Sequence, residues 1–444
     1  MILRMSMSLL FLLAGSAPGQ VTFDLNSSPG AQTAQPAPQA QVPPSQQRPA
    51  RITLDDAISL ALSNSPSLKA TRTQITQNKA QEITANQRPN PLLSWDSQFI
   101  PIFSPGNFSS DTLNNLQQFD VGIGYLFERG GKRQNRLRAA KDTTAVTESQ
   151  VADAERTLAF NVAQQFINAL LANSNLQFAQ EALSSFQQTA TISEQRYKAG
   201  DISEGDLLKI KLQLLQFQTD VTSAQVARVQ ALGSLRQLIG YNALPRSYDV
   251  SGDLEFQPMS AGLDDLQVLA LRTRPDLRAA QQGITAAQGQ VSLAKANGKQ
   301  DLNASMNYSH VSGTSSTSLF FNIPLPVFNR NQGEIARTRS TVDQAQFTAQ
   351  GAEDTVLTDV MNAYEATATN QEVVKLYTSG YLKQAEDSRN ISEYAYKGGA
   401  ATLLDFLDAQ RSYRTTQLAY RQALAAYMLA LEQLREAVGT RNLP

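Results

Sequence analysis

Phe119-Asp120-Val121-Gly122-Ile123-Gly124-Tyr125-Leu126-Phe127-Glu128 is the stretch from which the fold follows. Phe119, Val121, Ile123, Tyr125 and Phe127 alternate with residues that, Leu126 apart, are small or polar, the two-residue period of a strand with one apolar face. Leu302, Ala304, Met306, Tyr308 and His310 alternate in the same way with Asn303, Ser305, Asn307 and Ser309. Leu93, Trp95 and Phe99 form a weaker partner strand for the first, and Leu319, Phe321 and Ile323 one for the second. The pattern predicts two β-hairpins, about 92–127 and 302–325, with polar connections from Pro101 to Gln118 and from Val311 to Thr317.

Each hairpin runs into a very long helical pattern, about Lys132 to Lys198 and about Gly333 to Lys397, with isolated glycines at most and no proline. At about 1.5 Å per residue this is roughly 100 Å of rod, against an average helix of about 10–14 residues. Leu158, Val162, Phe166 and Leu170, then Leu176, Ala179, Leu183, Phe186 and Ala190, fall at helical spacing and form one seam for partner helices. The remaining surface, rich in Gln, Ala, Ser, Thr and Asn, suits a helix wetted on more than one side. The rods turn at Ala199-Gly200-Asp201-Ile202 and at Gly398-Gly399-Ala400-Ala401, and returning helices complete two helical hairpins, about 132–239 and 333–438. Gly200, Gly398 and Gly399 read as turn formers at positive φ and helix caps.

The plan occurs twice. Leu54-Asp55-Asp56 with Leu60, Leu62, Pro66, Leu68 and Ala70 recurs 209 residues later as Leu263-Asp264-Asp265 with Leu269, Leu271, Pro275, Leu277 and Ala279. Phe127-Glu128-Arg129 with Arg136 and Arg138 recurs at an offset of 201 as Phe328-Asn329-Arg330 with Arg337 and Arg339. Tyr197-Lys198-Ala199-Gly200 with Asp206 and Leu208 recurs at an offset of 199 as Tyr396-Lys397-Gly398-Gly399 with Asp405 and Leu407. Three blocks in one order mark a duplicated unit, 51–240 and 263–439, joined by a linker, 241–262. Each unit opens with two short helices, the second beginning at Ser65-Pro66 or Arg274-Pro275, since proline suits the first helical turn. Residues 1–19 read as a signal peptide: Arg4, a short apolar run containing Leu9 to Leu13, and the small cluster Ala14-Gly15-Ser16-Ala17. A buried N-terminal helix is the competing reading, but the Pro/Gln-rich residues 20–50 lack periodicity and read as a disordered tether.

In 444 residues, 38 Lys and Arg meet 39 Asp and Glu, a balance with no electrostatic footprint for nucleic acid. Cysteine is absent and His310 is the single histidine. Disulfides, thiolate sites, a lipid anchor on an N-terminal cysteine and multi-histidine chemistry therefore drop out. No nucleophile–base pair, phosphate loop or metal-ligand spacing is evident, so no catalytic residue, cofactor or resident metal is expected, and His310 reads as a surface residue. Trp95, Tyr125 and Tyr308 read as an interfacial aromatic belt or as strand packing. The basic cluster Lys132, Arg133, Arg136 and Arg138, with Arg337 and Arg339, reads as a contact to anionic head groups or as solvated charge.

Four strands with an apolar outer face cannot seal a membrane barrel, whose smallest form has about eight. Open edges would leave backbone groups unpaired in lipid, at several kcal/mol each. Two copies would give an eight-stranded barrel filled by side chains; three would give twelve strands with room for water, which the inward Gly122 and Gly124 favour. The expected fold is mainly α with membrane β-strands: a trimeric 12-stranded outer-membrane β-barrel continued by a long periplasmic α-helical barrel. A soluble α+β protein is the competing reading.

The duplicated plan, the turn sequences Arg196-Tyr197-Lys198-Ala199-Gly200 and Tyr396-Lys397-Gly398-Gly399, and Leu404-Asp405-Phe406-Leu407-Asp408-Ala409-Gln410-Arg411 resemble the TolC family of outer-membrane efflux proteins over about Ile52 to Gly439. Ile323-Pro324-Leu325-Pro326-Val327-Phe328-Asn329-Arg330-Asn331-Gln332-Gly333 is similar to its CzcC-like heavy-metal branch. The resemblance implies a homotrimer in outer-membrane lipid, docked on a periplasmic adaptor and a proton-driven inner-membrane RND pump. It maps a narrow periplasmic gate onto Asp405 and Asp408, which lie three apart and share one helix face. In a trimer that pair makes a ring of carboxylates attracting cations. For Asp405 an N-terminal capping role competes, because Thr402 and Ser203 stand three residues before Asp405 and Asp206. The resemblance also maps a gate lock onto Asp206 and Tyr396, and an adaptor contact onto Gly200, Gly398 and Gly399. A second lock would fall on Ala401 and Gly205, which cannot form it. The function implied is an exit duct, for transition-metal cations or else for drugs, other small molecules or a type I secretion system; a non-pore periplasmic coiled-coil scaffold is the reading from another class.

Overall fold

The computed structural model describes residues 50–443 except 99–101, 105, 107–108 and 112–117. The signal peptide (1–19), all but Ala50 of the 20–50 tether, and Phe99 lie outside the described residues.

Two copies of one unit run through the chain. Strand β1 (Ala50–Ile52) leads into α1 (Leu54–Asn64) and α2 (Pro66–Asn86). Then come β2 (Leu92–Gln98), β3 (Gln118–Phe127), the 68-residue α3 (Lys132–Ala199) and α4 (Glu204–Ile239). After β4 (Tyr248–Val250), the second unit has α5 (Leu263–Thr273), α6 (Pro275–Asn297), β5 (Leu302–Val311) and β6 (Thr314–Asn322). It ends with α7 (Gln332–Leu376), a π turn (Tyr377–Tyr381), α8 (Leu382–Lys397) and α9 (Leu403–Val438). The boundaries have local causes. Thr53 and Asp56 form a capping box on α1, while Pro66 and Pro275 occupy the first turns of α2 and α6.

The hairpins merge into one antiparallel sheet of order β2-β3-β5-β6. Its central pair joins the two units, with Val121 opposite Tyr308 and Ile123 opposite Met306. Trp95, Ile123, Met306, Leu319 and Phe321 stand exposed on one face. Gly122 lies on the other, where an added Cβ would strike the Asn307 amide. Neither β2 nor β6 has an outer partner among the described residues.

No single core holds the rods. Leu158, Val162, Phe166 and Leu170 of α3 bury against Ala57, Ile58 and Ala61 of α1 and Leu232, Leu235 and Ile239 of α4. Leu266, Ala270, Val356, Val360, Leu434 and Val438 repeat this arrangement in the second unit. The sequence seam is thus buried, whereas α4 carries a second one in the open: Leu208, Leu212, Leu215, Thr219, Thr222, Val226 and Val229, spaced alternately four and three. Its leucines and valines are 51–68% exposed.

Four expectations need correction. The Val311–Thr317 connection is only Ser312-Gly313, with φ of 49° and 78°, a two-residue turn whose twist suits a hairpin; Ser/Thr-rich β6 had the composition of a loop. Pairing ends at Asn322, so Ile323 lies beyond the strand, and the following Pro324 has no N–H for a ladder. The 241–262 linker contains β4, paired in parallel with β1; three residues are too few to show a period. The second rod is broken at the π turn, where Gly380 takes φ 143°.

A charged joint ties the units together. Arg274, 4% exposed, binds Asp276 and Asp359 and donates to the Ala437 carbonyl. Arg156 of α3 pairs with Asp153 at 2.7 Å and donates to the Glu436 carbonyl at 2.6 Å. Burial alone would raise the Asp276 carboxyl, but the Arg274 hydrogen bond and charge outweigh it and hold the group below its usual value. A lowered folded pKa stabilises the fold above the unfolded value and the benefit is lost as pH falls through the folded one. Arg274→Met leaves two acids unpaired and is expected to cost about 3 kcal/mol in unfolding at neutral pH, and less in acid, where Asp276 protonates.

Candidate functional site

The rods end in two tight turns. Gly200 (φ 85°) and Gly399 (φ 77°) are left-handed, and Asp201 and Ala400 donate back to the Arg196 and Ala395 carbonyls at 2.8 Å each, closing matched Schellman turns. Gly398 departs from expectation: its φ of −80° is right-handed helical. It occupies the place of Ala199 in the first unit, and only the following glycine needs the special conformation.

Both returning helices start with a hydroxyl cap. Thr402 Oγ1 donates to Asp405 Oδ2 at 2.6 Å and accepts from the Asp405 N–H at 3.2 Å, a complete capping box. Ser203 does the same for Asp206, which also receives Lys209 Nζ at 3.3 Å. Asp408 lies one turn beyond the cap, exposed, with no hydrogen bond or ion pair among the described residues. Asp405 is therefore a fixed carboxylate and Asp408 a free one, both exposed at the head of α9.

Tyr396 lies in the interior of the tip, 4% exposed. Its ring stacks on Phe406 at 5.1 Å, Phe406 on Phe186 at 6.2 Å, and Phe186 on Phe217 at 4.7 Å. The ladder takes one ring from each of α8, α9, α3 and α4. The Tyr396 hydroxyl sits 3.4 Å from Ser193 Oγ, and Arg196 donates to its carbonyl at 2.7 Å. Tyr396 and Asp206 thus both spend their polar groups within the chain and are not bonded to each other. The repeat counterpart Tyr197 is 40% exposed. Arg414 pairs with Asp220 and lies 4.3 Å over Phe217, bracing α9 against α4.

At the strand-to-helix junction, Lys132 binds Asp301 at 2.7 Å and Arg136 binds Glu128 at 2.7 Å and the Ala85 and Gln87 carbonyls. These two cations fasten the junction through their ion pairs and are not left free for head groups. Arg337 pairs with its neighbour Glu334. On the polar face of the sheet, Asp96 lies directly opposite Asp120, each held by a glutamine two residues away. The four strands carry these two carboxylates and no lysine or arginine. Trp95 packs edge-on to Phe119, and Tyr308 and His310 both reach Ser315 of β6. Among the described residues no group of three His, Cys, Asp or Glu could hold a metal, and no helix is long and apolar enough to cross a membrane.

Asp405→Ala is expected to cost about 1 kcal/mol of helix-end stability, seen as faster amide exchange over residues 403–407. Asp408→Ala should leave that exchange unchanged.

The sequence pattern of the family described as "Outer membrane efflux protein" matches residues 57–241 and 266–440, once per unit. The chain is 24% identical to the cobalt-zinc-cadmium resistance protein CzcC of Cupriavidus metallidurans, over 87% of this chain and 90% of that protein. It is 25% identical to the cation efflux system protein CusC of Escherichia coli K12, over 81% and 80%. It is also 25% identical to the pyoverdine export outer membrane protein OpmQ of Pseudomonas aeruginosa, over 87% and 83%. The fold matches the open-state crystal structure of the MtrE outer membrane channel of Neisseria gonorrhoeae with a TM-score of 0.72 at 20% identity, covering 87% of this chain and 89% of that one. The TolC-type architecture read from the repeats is therefore the fold of this protein, an outer-membrane channel and not an enzyme, and the chain belongs to the outer membrane efflux protein family.

Proposed function

We propose that three copies of this chain form the exit duct of a tripartite exporter, passing transition-metal cations from a periplasmic adaptor and an inner-membrane RND pump to the outside. The observation that carries the duct is the sheet with two unpaired edges: joining β6 of each copy to β2 of the next closes twelve strands around water. The exposed four-three seam on α4 supports the same assembly, since such spacing packs helices into a left-handed tunnel wall. Asp405 and Asp408 then ring the periplasmic gate, and the turns at Gly200, Gly398 and Gly399 meet the adaptor.

Two features favour cations. The gate presents six carboxylates in the trimer, and the polar strand face, with Asp96 and Asp120 and no basic residue, continues that sign toward the exit. The likeness to CzcC and CusC, named for metal resistance and cation efflux, points to metal cargo; the likeness to OpmQ, named for pyoverdine export, keeps a small-molecule exit duct as the second reading. Tyr396 acts in closure by holding α8 against α9, and Asp206 by capping α4, instead of through a direct link between them.

Asp405→Asn combined with Asp408→Asn should shift the reversal potential in a salt gradient toward zero and weaken block by multivalent cations; an unchanged potential refutes the gate. Leu212→Glu with Leu215→Glu should convert trimers to smaller species by native mass spectrometry. A strain lacking this chain should lose tolerance to zinc, cobalt or copper before antibiotics if the cargo is metal.

A further inference from the structure

The segment between β6 and α7, residues 323–331, is five residues longer than its counterpart in the first unit. In the first unit four residues, Glu128 to Gly131, carry the chain from β3 into α3. Here nine residues do so, and Leu325, Val327 and Phe328 are 81%, 62% and 90% exposed. Such exposure in a folded chain calls for a partner.

The strap is built and held. Asn331 Nδ2 donates to the Ala294 carbonyl at 2.8 Å, anchoring its end to α6. The Arg330 carbonyl crosses so close over Gly298 that an added Cβ would lie 2.6 Å from it. Val327 N–H donates to the Leu325 carbonyl at 2.9 Å, Arg330 Nε to the Pro326 carbonyl at 3.0 Å, and Gln332 Nε2 to the Phe328 carbonyl at 3.0 Å. Pro324 and Pro326 lack an N–H. The strap thus satisfies much of its backbone from within while presenting apolar side chains outward, which suits a surface that offers no hydrogen bonds.

We propose that this strap is a lipid anchor, lying on the periplasmic leaflet of the outer membrane beside each β6. Two observations choose lipid over a protein partner. The outward apolar residues of β6, Leu319 and Phe321, are followed at the same two-residue spacing by Ile323, Leu325 and Val327, all exposed, so that the strap adds apolar surface next to the face that would meet acyl chains. It then ends in Phe328 followed by Arg330, an exposed cation with no carboxylate partner among the described residues, the order of apolar, aromatic and basic groups met on leaving a bilayer. The first unit passes from Phe127 to the exposed Arg129 directly at the end of β3 and lacks the apolar stretch Ile323 to Val327 between strand and cation. Each subunit would therefore grip the leaflet on one side, below β6.

Tryptophan fluorescence in liposomes tests this, because Trp95 is the chain's single tryptophan. In a Trp95→Phe background, Phe328→Trp and, separately, Leu325→Trp are reconstituted with phosphatidylcholine brominated near the head group. Both introduced tryptophans are expected to emit at shorter wavelength than in water and to lose most of their emission in the brominated lipid. Red-shifted, unquenched emission means the strap is in water; blue-shifted, unquenched emission means that a protein surface, such as the next subunit, covers it. Either result overturns the anchor. Wild-type Trp95, 75% exposed on the outer sheet face, is the control: quenching there with none at the strap rejects the anchor alone, and no quenching at either rejects the lipid-facing sheet and the anchor with it.

Discussion

Backbone hydrogen bonding at the edges of the sheet governs this molecule. Among the described residues β3 and β5 are paired on both sides, while β2 and β6 each show an open edge. In water such edges are a hazard managed by charge or cover; in hydrocarbon each unpaired N–H or C=O costs several kcal/mol. Here the edges carry no lysine or arginine, and β6 is Ser/Thr-rich and free of proline from Thr314 to Asn322. The chain has the chemistry of a strand donor and acceptor at once, and a head-to-tail arrangement that closes into a ring satisfies both edges with one contact type.

Duplication solves the geometry of the rods but leaves a mismatch of phase. The first rod is the unbroken 68-residue α3; the second, from Gln332 to Lys397, comprises helices of 45 and 16 residues around a five-residue π turn, two residues fewer. Each helical residue turns about 100°, so two missing residues would rotate the lower rod by about 200° and carry its seam to the wrong side. The kink at Gly380, whose φ of 143° and ψ of −21° are not helical, breaks that phase relation and frees the lower rod to take its own orientation. The tip core of the second unit, Tyr396 with Leu403 and Phe406, can then face Phe186 and Ile210 of the first. Gly380 at φ 143° absorbs the irregularity, and an added Cβ there would find only the distal end of Gln384 at 3.8 Å.

Much of this was legible in the sequence, and what was not has physical reasons. Strands β3 and β5 declare themselves because one face is apolar and the other small, and the seam from Leu158 to Ala190 because burial demands helical spacing. Strand β6 hid its first half because serine and threonine are neutral between loop and lumen. The Asp96–Asp120 pair was invisible because opposition depends on register, which period alone leaves open. The aromatic ladder at the tip takes single rings from four helices far apart in sequence, so no local window contains it. Arg274 stands where the first unit has Ser65; nothing nearby in sequence announces that its partners are Asp276 and, 85 residues on, Asp359.

The two acids at the head of α9 differ in a way that bears on how a carboxylate gate can exist at all. In the proposed trimer six like charges converge, and their repulsion opposes closure. Two local effects offset it. The N-terminus of α9 carries the positive end of the helix dipole, and the Asp405 carboxylate accepts both the hydroxyl and the N–H of Thr402, which hold it in place. Asp408 has no such hold among the described residues and, at the proposed gate, would adjust to whatever lies in the bore. A passing cation would meet a rigid ring and, one turn away, a compliant one. In the proposed trimer, closure without a lock at Ala401 and Gly205 would rest on the apolar ladder behind the turns, with Tyr396 at 4% exposure as its inner member, and on cations bridging the carboxylates in front of them.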